Sequence, residues 1–124
     1  MDKNYDDIEK LLWTYLDGLY EGDVNKLSIA FHPVCHLFSN SEGKFLDWSR
    51  EKWFEIVRGR DSPKSLGLQR FDRIISIDMS DNITACAKLS CAVPPKFFSD
   101  YLTLLKLEGR WQIVSKVFRY EVHK

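Results

Sequence analysis

The sequence predicts a single α+β domain over residues 1–124, with three helices followed by a mainly antiparallel sheet. Three helical patterns lie before residue 60, with two short strands between the second and the third, and the residues after Gly67 change to the two-residue period of strands. Near the C-terminus two strand-like segments are joined by Glu108-Gly109, a two-residue loop with glycine where a positive φ costs little. A chain of 124 residues can bury roughly two-thirds of its unfolded surface, enough for an independent core.

The three helices are predicted from apolar side chains that recur every three or four residues. They cover residues 6–22, 23–32 and 49–59. Asp6, Asp23 and Ser49 are the predicted N-caps, because their side-chain oxygens can accept hydrogen bonds from free backbone N–H groups. Gly22 suits the end of the first helix. The second stops at His32-Pro33, because the residue before a proline avoids helical geometry.

Six strands are predicted from runs rich in branched and aromatic residues. They cover residues 35–39, 44–46, 69–78, 83–92, 99–107 and 110–120. In the last strand, alternation places Trp111, Ile113 and Val117 on one face. Val114 and Phe118 then lie on the other. Two apolar faces need two covers, so we expect the helices on one side and a second subunit on the other, as a homodimer. A coiled sheet that covers itself is the alternative.

Composition excludes several classes of partner. Eighteen basic side chains balance eighteen acidic ones, so the chain lacks the positive charge that nucleic-acid binding requires. No apolar run reaches the roughly 20 residues of a membrane span, and residues 1–7 lack the apolar stretch of a signal peptide. Three cysteines without a secretory signal predict reduced thiols and a cytoplasmic location.

Two segments resemble a known superfamily, and the match runs nearly end to end. Tyr20-Glu21-Gly22-Asp23, followed by Leu27 and Phe31, resembles the opening of nuclear transport factor 2-like proteins. The hairpin over residues 100–118 more specifically resembles the bacterial group labelled putative lumazine-binding. The resemblance implies a cone of curved sheet closed by three helices, often dimeric through the sheet, with an apolar pocket at the wide end. Members range from isomerases and dehydratases to binding modules, so the fold leaves the function open.

We expect the chain to bind a small hydrophobic or heterocyclic molecule, with no established catalysis. Aromatic residues make up 14% of the sequence and would give a cavity aromatic walls. Core packing is the alternative use for them. The expected pocket residues are Tyr15, Phe31, His36, Phe38, Trp48, Trp53 and Tyr101. A structural or protein-interaction module that uses the sheet face is a further alternative.

The rival hypothesis is an enzyme of the isomerase, dehydratase or cyclase type that uses Tyr15, His36 and Asp100. Resemblance to the steroid isomerases of the superfamily implies that Tyr15 and Asp100 donate hydrogen bonds to a developing enolate. The position of the general base in those enzymes is Ser39 here, which cannot take a proton at neutral pH without a partner. His36 is the candidate replacement, since histidine titrates near neutrality. The hypothesis requires Tyr15, His36 and Asp100 to converge in one pocket.

The sequence predicts neither a metal nor an organic cofactor. Cys86 and Cys91 are five residues apart on one strand and therefore point to opposite faces. His32 stands where haem attachment requires a cysteine, and no P-loop or dinucleotide motif is present. Three lysines lie within predicted strands: Lys88, Lys106 and Lys116. We expect them to extend from the sheet surface, with binding of an anionic ligand as the alternative.

Overall fold

The computed structural model describes residues 2–123, and three helices form within them. They are α1 (Lys3–Glu21), α2 (Val24–Ala30) and α3 (Arg50–Arg58). The helix start predicted at Asp6 is wrong, because the side chain of Asp2 accepts the backbone N–H of Asn4 and caps α1 four residues earlier. Asp23 and Ser49 cap α2 and α3 as predicted. Gly22 ends α1 with a φ of 69°. In this part of the chain no helix is both long and apolar enough to cross a membrane.

The six strands form one sheet in the order β2-β1-β6-β5-β4-β3. They are β1 (Phe31–Ser39), β2 (Leu46–Ser49), β3 (Arg73–Met79), β4 (Thr84–Val93), β5 (Lys96–Leu107) and β6 (Arg110–Val122). All neighbours are antiparallel except β1 and β6. The first strand begins four residues earlier than predicted, and it contains Pro33 where its pairing with β6 is interrupted. A proline cannot donate to a ladder, so it fits this irregular position.

A β-bulge in β6 decides which side chains enter the core. The Glu108-Gly109 turn has positive φ at both residues, 52° and 78°, as a two-residue hairpin requires. Beyond it, Leu104 pairs with Ile113 but Thr103 pairs with Ser115, so Val114 is an extra residue. One inserted residue reverses the faces of everything that follows. The prediction that Val117 lies on the same face as Trp111 and Ile113 is therefore wrong.

The helices pack on one face of the sheet and enclose the hydrophobic core. Completely buried members include Leu12, Leu16, Leu27, Leu89 and Ile113. Each such side chain contributes about 1.5–3 kcal/mol by leaving water. On the opposite face of the sheet, Tyr101 and Val117 are paired neighbours and about half exposed. The homodimer expected through that face stays a prediction.

Candidate functional site

A cavity of about 210 Å³ lies between the helical layer and the inner face of the sheet. Its walls come from α1, α3, the loop after α3, the β1–β2 connection and strands β1, β2, β5 and β6. The lining residues are Leu19, Leu37, Glu42, Leu46, Trp48, Trp53, Ile56, Arg60, Lys96, Phe98, Lys116, Phe118 and Tyr120. Most of the wall is apolar or aromatic, and its charged groups are few. This arrangement is typical of a binding site for a small molecule.

Lys116 belongs to this wall and is held by a buried hydrogen-bond chain. Its Nζ donates to the Tyr15 hydroxyl oxygen at 2.7 Å and lies 3.7 Å from Asp100 Oδ2. Tyr15 in turn donates its hydroxyl proton to Asp100 Oδ2, and the Cys91 thiol donates to the same oxygen at 3.8 Å. The other carboxylate oxygen of Asp100 is buried without a partner in residues 2–123. A chain of this kind fixes the position of the lysine amine.

Tyr15 and Asp100 lie behind Lys116 and have no exposed surface. Burial, followed by the charge of Asp100, raises the pKa of Tyr15 well above its usual value. Tyr15 therefore keeps its proton at neutral pH, and its hydroxyl donates a hydrogen bond to Asp100. The structure brings these two predicted residues together, but as support for Lys116. Neither is in the cavity wall.

Aromatic rings also flank the Lys116 amine. Its Nζ lies 4.6 Å from the centroid of Trp53, 5.0 Å from Tyr15 and 5.3 Å from Phe118. Such contacts stabilise an ammonium ion away from water. Phe31 is fully buried beneath this cage and meets Tyr15 and Trp53 edge-on, with ring centroids 5.0 and 4.9 Å apart. It supports the cage and is not part of the wall.

Three of the predicted pocket residues point away from the cavity. His36 is exposed, and its Nδ1 lies 2.6 Å from the carboxylate of Asp47. Its ring stacks on Phe38 at 6.0 Å, on the same side of β1. Tyr101 is half exposed, with the Lys88 amine 5.3 Å from its ring centroid. Since inward and outward side chains alternate, Asp100 faces in and Tyr101 faces out.

The convergence of Tyr15, His36 and Asp100 is therefore not found. From Cys35 onward, the buried positions of β1 are Cys35, Leu37 and Ser39, so His36 faces the other side of the sheet. Ser39 bonds to the hydroxyl of Ser41. The enzyme hypothesis in the form that uses His36 as base is wrong. Of the predicted wall residues, Trp48 and Trp53 do line the cavity.

Arg60 is a wall residue that the sequence did not reveal. It follows the end of α3, where no periodic pattern predicts its direction, and it enters the cavity wall. Burial lowers the pKa of its guanidinium below the usual value. Arg60 forms no ion pair with a carboxylate within residues 2–123. Those residues also contain no group of three or more histidine, cysteine or acidic side chains placed to hold a metal.

Comparison with known proteins agrees with this geometry. The family model described as "Putative lumazine-binding" matches residues 3–119. The chain belongs to this family. The fold is the nuclear transport factor 2-like fold predicted from the sequence. Family and fold together support a small-molecule-binding domain.

Individual relatives of this chain share about a quarter of its residues. A protein named Aldolase FrzH from Cladobotryum sp is 24% identical over 114 residues, which are 92% of this chain and 89% of the relative. A solved structure from Methylobacillus flagellatus, a nuclear transport factor 2-like protein of unknown function, is 26% identical with a TM-score of 0.86 and covers 98% of this chain and 95% of its own. A second, from Shewanella baltica, has a TM-score of 0.87 at 23% identity and covers 98% and 96% of the two chains.

Proposed function

We propose that this domain binds a small, flat, hydrophobic molecule inside the cavity, with a polar group of that molecule against Lys116. The observation that carries the proposal is the Lys116 amine, which is almost wholly buried in an aromatic cage and is nevertheless part of the cavity wall. An ammonium group has three N–H donors, and only the bond to Tyr15 is short. Buried donors normally have partners, and a bound molecule would supply one.

The dimensions of the cavity limit the size of that molecule. Pockets for drug-sized ligands enclose roughly 300–1,000 Å³, whereas this cavity encloses about 210 Å³. One or two fused rings are therefore the expected size. Trp48, Trp53 and Phe118 offer the ring faces and edges that such a molecule packs against. We also propose that the protein works in the reducing cytoplasm, where its three cysteines stay as free thiols.

Filling the cavity tests the proposal. Ile56 lines the cavity and is half-buried on α3, so Ile56→Trp places a large ring in the ligand space. A panel of lumazine, 2-naphthol and 2-naphthoate is titrated by calorimetry and by thermal shift, since a ligand that binds only the folded state raises Tm. We expect at least one of these probes to bind the parent protein and to lose at least about tenfold in affinity to Ile56→Trp, a change of about 1.4 kcal/mol.

The matched control is Ile29→Trp, because Ile29 is exposed on α2 and is not part of the cavity wall. It should bind the same probe as tightly as the parent protein does. Equal binding by both variants would place the probe elsewhere and would reject the cavity as the site.

A second candidate function is an enzyme that forms or cleaves carbon–carbon bonds next to a carbonyl group. It is favoured by the Lys116–Tyr15–Asp100 chain, which presents a cation where an enolate oxygen would need stabilisation. The relative named as an aldolase supports the same idea. Exchange of α-protons of a bound ketone for deuterium, followed by NMR and abolished by Ile56→Trp, would distinguish catalysis from binding alone.

We further propose that the chain forms a homodimer through the outer face of the sheet, around Tyr101 and Val117. Light scattering is expected to give twice the 14.6 kDa chain mass. Val117→Asp puts a charge into this apolar patch and should yield monomers. Ile29→Asp, at an exposed position of α2, should leave the mass unchanged. A parent protein that is monomeric at 100 μM would remove the proposal.

A further inference from the structure

We propose that the ligand is a monocarboxylate, with its carboxylate bound between Arg60 and Lys116 and its ring system among the aromatic walls. This inference rests on the proposed function, since it names the chemical class that the same cavity selects. It depends on the charges that line the cavity and on the partners those charges have.

The cavity carries one uncompensated positive charge. Its wall contains three cationic side chains, Arg60, Lys96 and Lys116, and one acidic side chain, Glu42. The carboxylate of Asp100 lies directly behind the wall, 3.7 Å from Lys116. Three cations against these two carboxylates leave a surplus of one. A ligand with a single negative charge would neutralise the site, whereas a doubly charged phosphate would overshoot it.

The uncompensated cation is Arg60. Lys116 has Asp100 as its counter-charge. Lys96 is exposed at the edge of the cavity, with its amine 4.6 Å from the ring centroid of Tyr120. Arg60 forms no ion pair with a carboxylate in residues 2–123, although burial is strong enough to lower its pKa. Arg60 is partly buried, and a partly dehydrated cation without an anionic partner is costly, so the site gains when a ligand anion supplies that partner.

The geometry of the guanidinium group favours a carboxylate over other anions of the same charge. Its planar fork donates two parallel N–H bonds to the two oxygens of a carboxylate. The Lys116 amine has donors that point elsewhere than Tyr15 and can meet the same group from a second direction. Both cations are set in a wall of tryptophan and phenylalanine rings, which would hold the remainder of an aromatic acid.

A matched pair of probes tests the inference. 2-Naphthoate and 2-naphthamide share ring system and shape but differ in charge, and both are titrated by calorimetry against the full chain. We expect the parent protein to bind naphthoate at least about tenfold more tightly than naphthamide, because losing one partner of a buried charge pair is expensive.

Arg60→Gln should remove most of this preference by weakening naphthoate about tenfold while leaving naphthamide unchanged. Arg60→Lys keeps the charge without the fork and should fall between the two. Arg58→Gln is the control, because Arg58 is exposed at the end of α3, two residues before Arg60, and lies outside this cavity. It should behave like the parent protein.

The failures of the two proposals have different signatures. If naphthoate and naphthamide bind with the same affinity, or if Arg60→Gln and Arg58→Gln behave alike, the carboxylate inference is overturned while the binding cavity stands. If neither naphthoate nor naphthamide binds to the parent protein or raises its Tm, the carboxylate inference is overturned. If lumazine and 2-naphthol also fail to bind, the small-molecule cavity is overturned with it. Circular dichroism of each variant verifies that the comparison is made between folded proteins.

Discussion

Lys116→Met is expected to destabilise the folded state by about 3–5 kcal/mol, although methionine is nearly as long as lysine and suits an apolar site. The loss comes from Asp100, which has no exposed surface and would be left without a nearby cation. Its one bonded oxygen would retain only Tyr15 and the weak Cys91 thiol as donors. The free energy of unfolding is measured by urea titration with tryptophan fluorescence.

Lys106→Met is the matched control for this experiment. Lys106 lies on the neighbouring strand, and its amine donates to the side-chain oxygen of Asn4 at 2.9 Å. Its removal therefore leaves no buried carboxylate without a partner. We expect it to cost about 1 kcal/mol. In the double variant Lys116→Met/Asp100→Asn, the buried charge is gone and the loss should be smaller than the sum of the two single losses. A Lys116→Met loss no greater than that of Lys106→Met would contradict the buried pair.

The architecture could be predicted because local signals and global fold agree. The change of period after Gly67, the caps at Asp23 and Ser49 and the positive φ at Gly109 are each determined by nearby residues. The hairpin that supports the family resemblance is set in the same way, by its turn and by the paired strands β5 and β6. Such features need no knowledge of distant contacts.

The site was harder to predict because it depends on which face of each strand is buried and on a residue in a loop. Alternation alone cannot tell which face of β1 is buried, and the aromatic Phe38 suggested the wrong one for His36. The extra residue Val114 reverses the faces beyond it and moves Lys116 from the expected surface into the cavity wall. Arg60 belongs to no periodic element. The β-bulge in β6 thus explains why the predicted position of Lys116 differs from the observed one.

Alkaline pH should destabilise the folded protein through three buried side chains, Cys35, Cys91 and Tyr15. Burial raises the pKa of the Cys35 thiol from 9.0 to about 11 and that of Cys91 well above 9.0. The pKa of Tyr15 is likewise raised well above 10.0. The unfolded chain releases these protons at the ordinary pKa values, whereas the folded chain keeps them. The folded state therefore binds more protons than the unfolded state, and stability falls as pH rises.

The fall in stability occurs over a defined pH range and with a defined slope. Stability attributable to the three groups is fully present below about pH 9, because both states are then protonated. Above that pH each retained proton lowers the free energy of unfolding by about 1.4 kcal/mol per pH unit until the folded-state pKa is reached. For Cys35 alone this amounts to about 3 kcal/mol by pH 11. Cys91 adds to the fall from about pH 9 and Tyr15 from about pH 10.

Urea titrations between pH 7.5 and 11, in the presence of a reducing agent, measure this slope. Cys35→Ala removes one retained proton and should make the slope shallower by about 1.4 kcal/mol per pH unit between pH 9 and 11. Cys86→Ala is the control variant, because the Cys86 thiol is exposed in the folded protein, and its slope should match that of the parent protein. A free energy of unfolding that stays level from pH 8 to pH 10.5 would mean that water reaches these side chains. The water-poor setting inferred for Lys116, and for Tyr15 and Asp100 behind it, would then have to be abandoned.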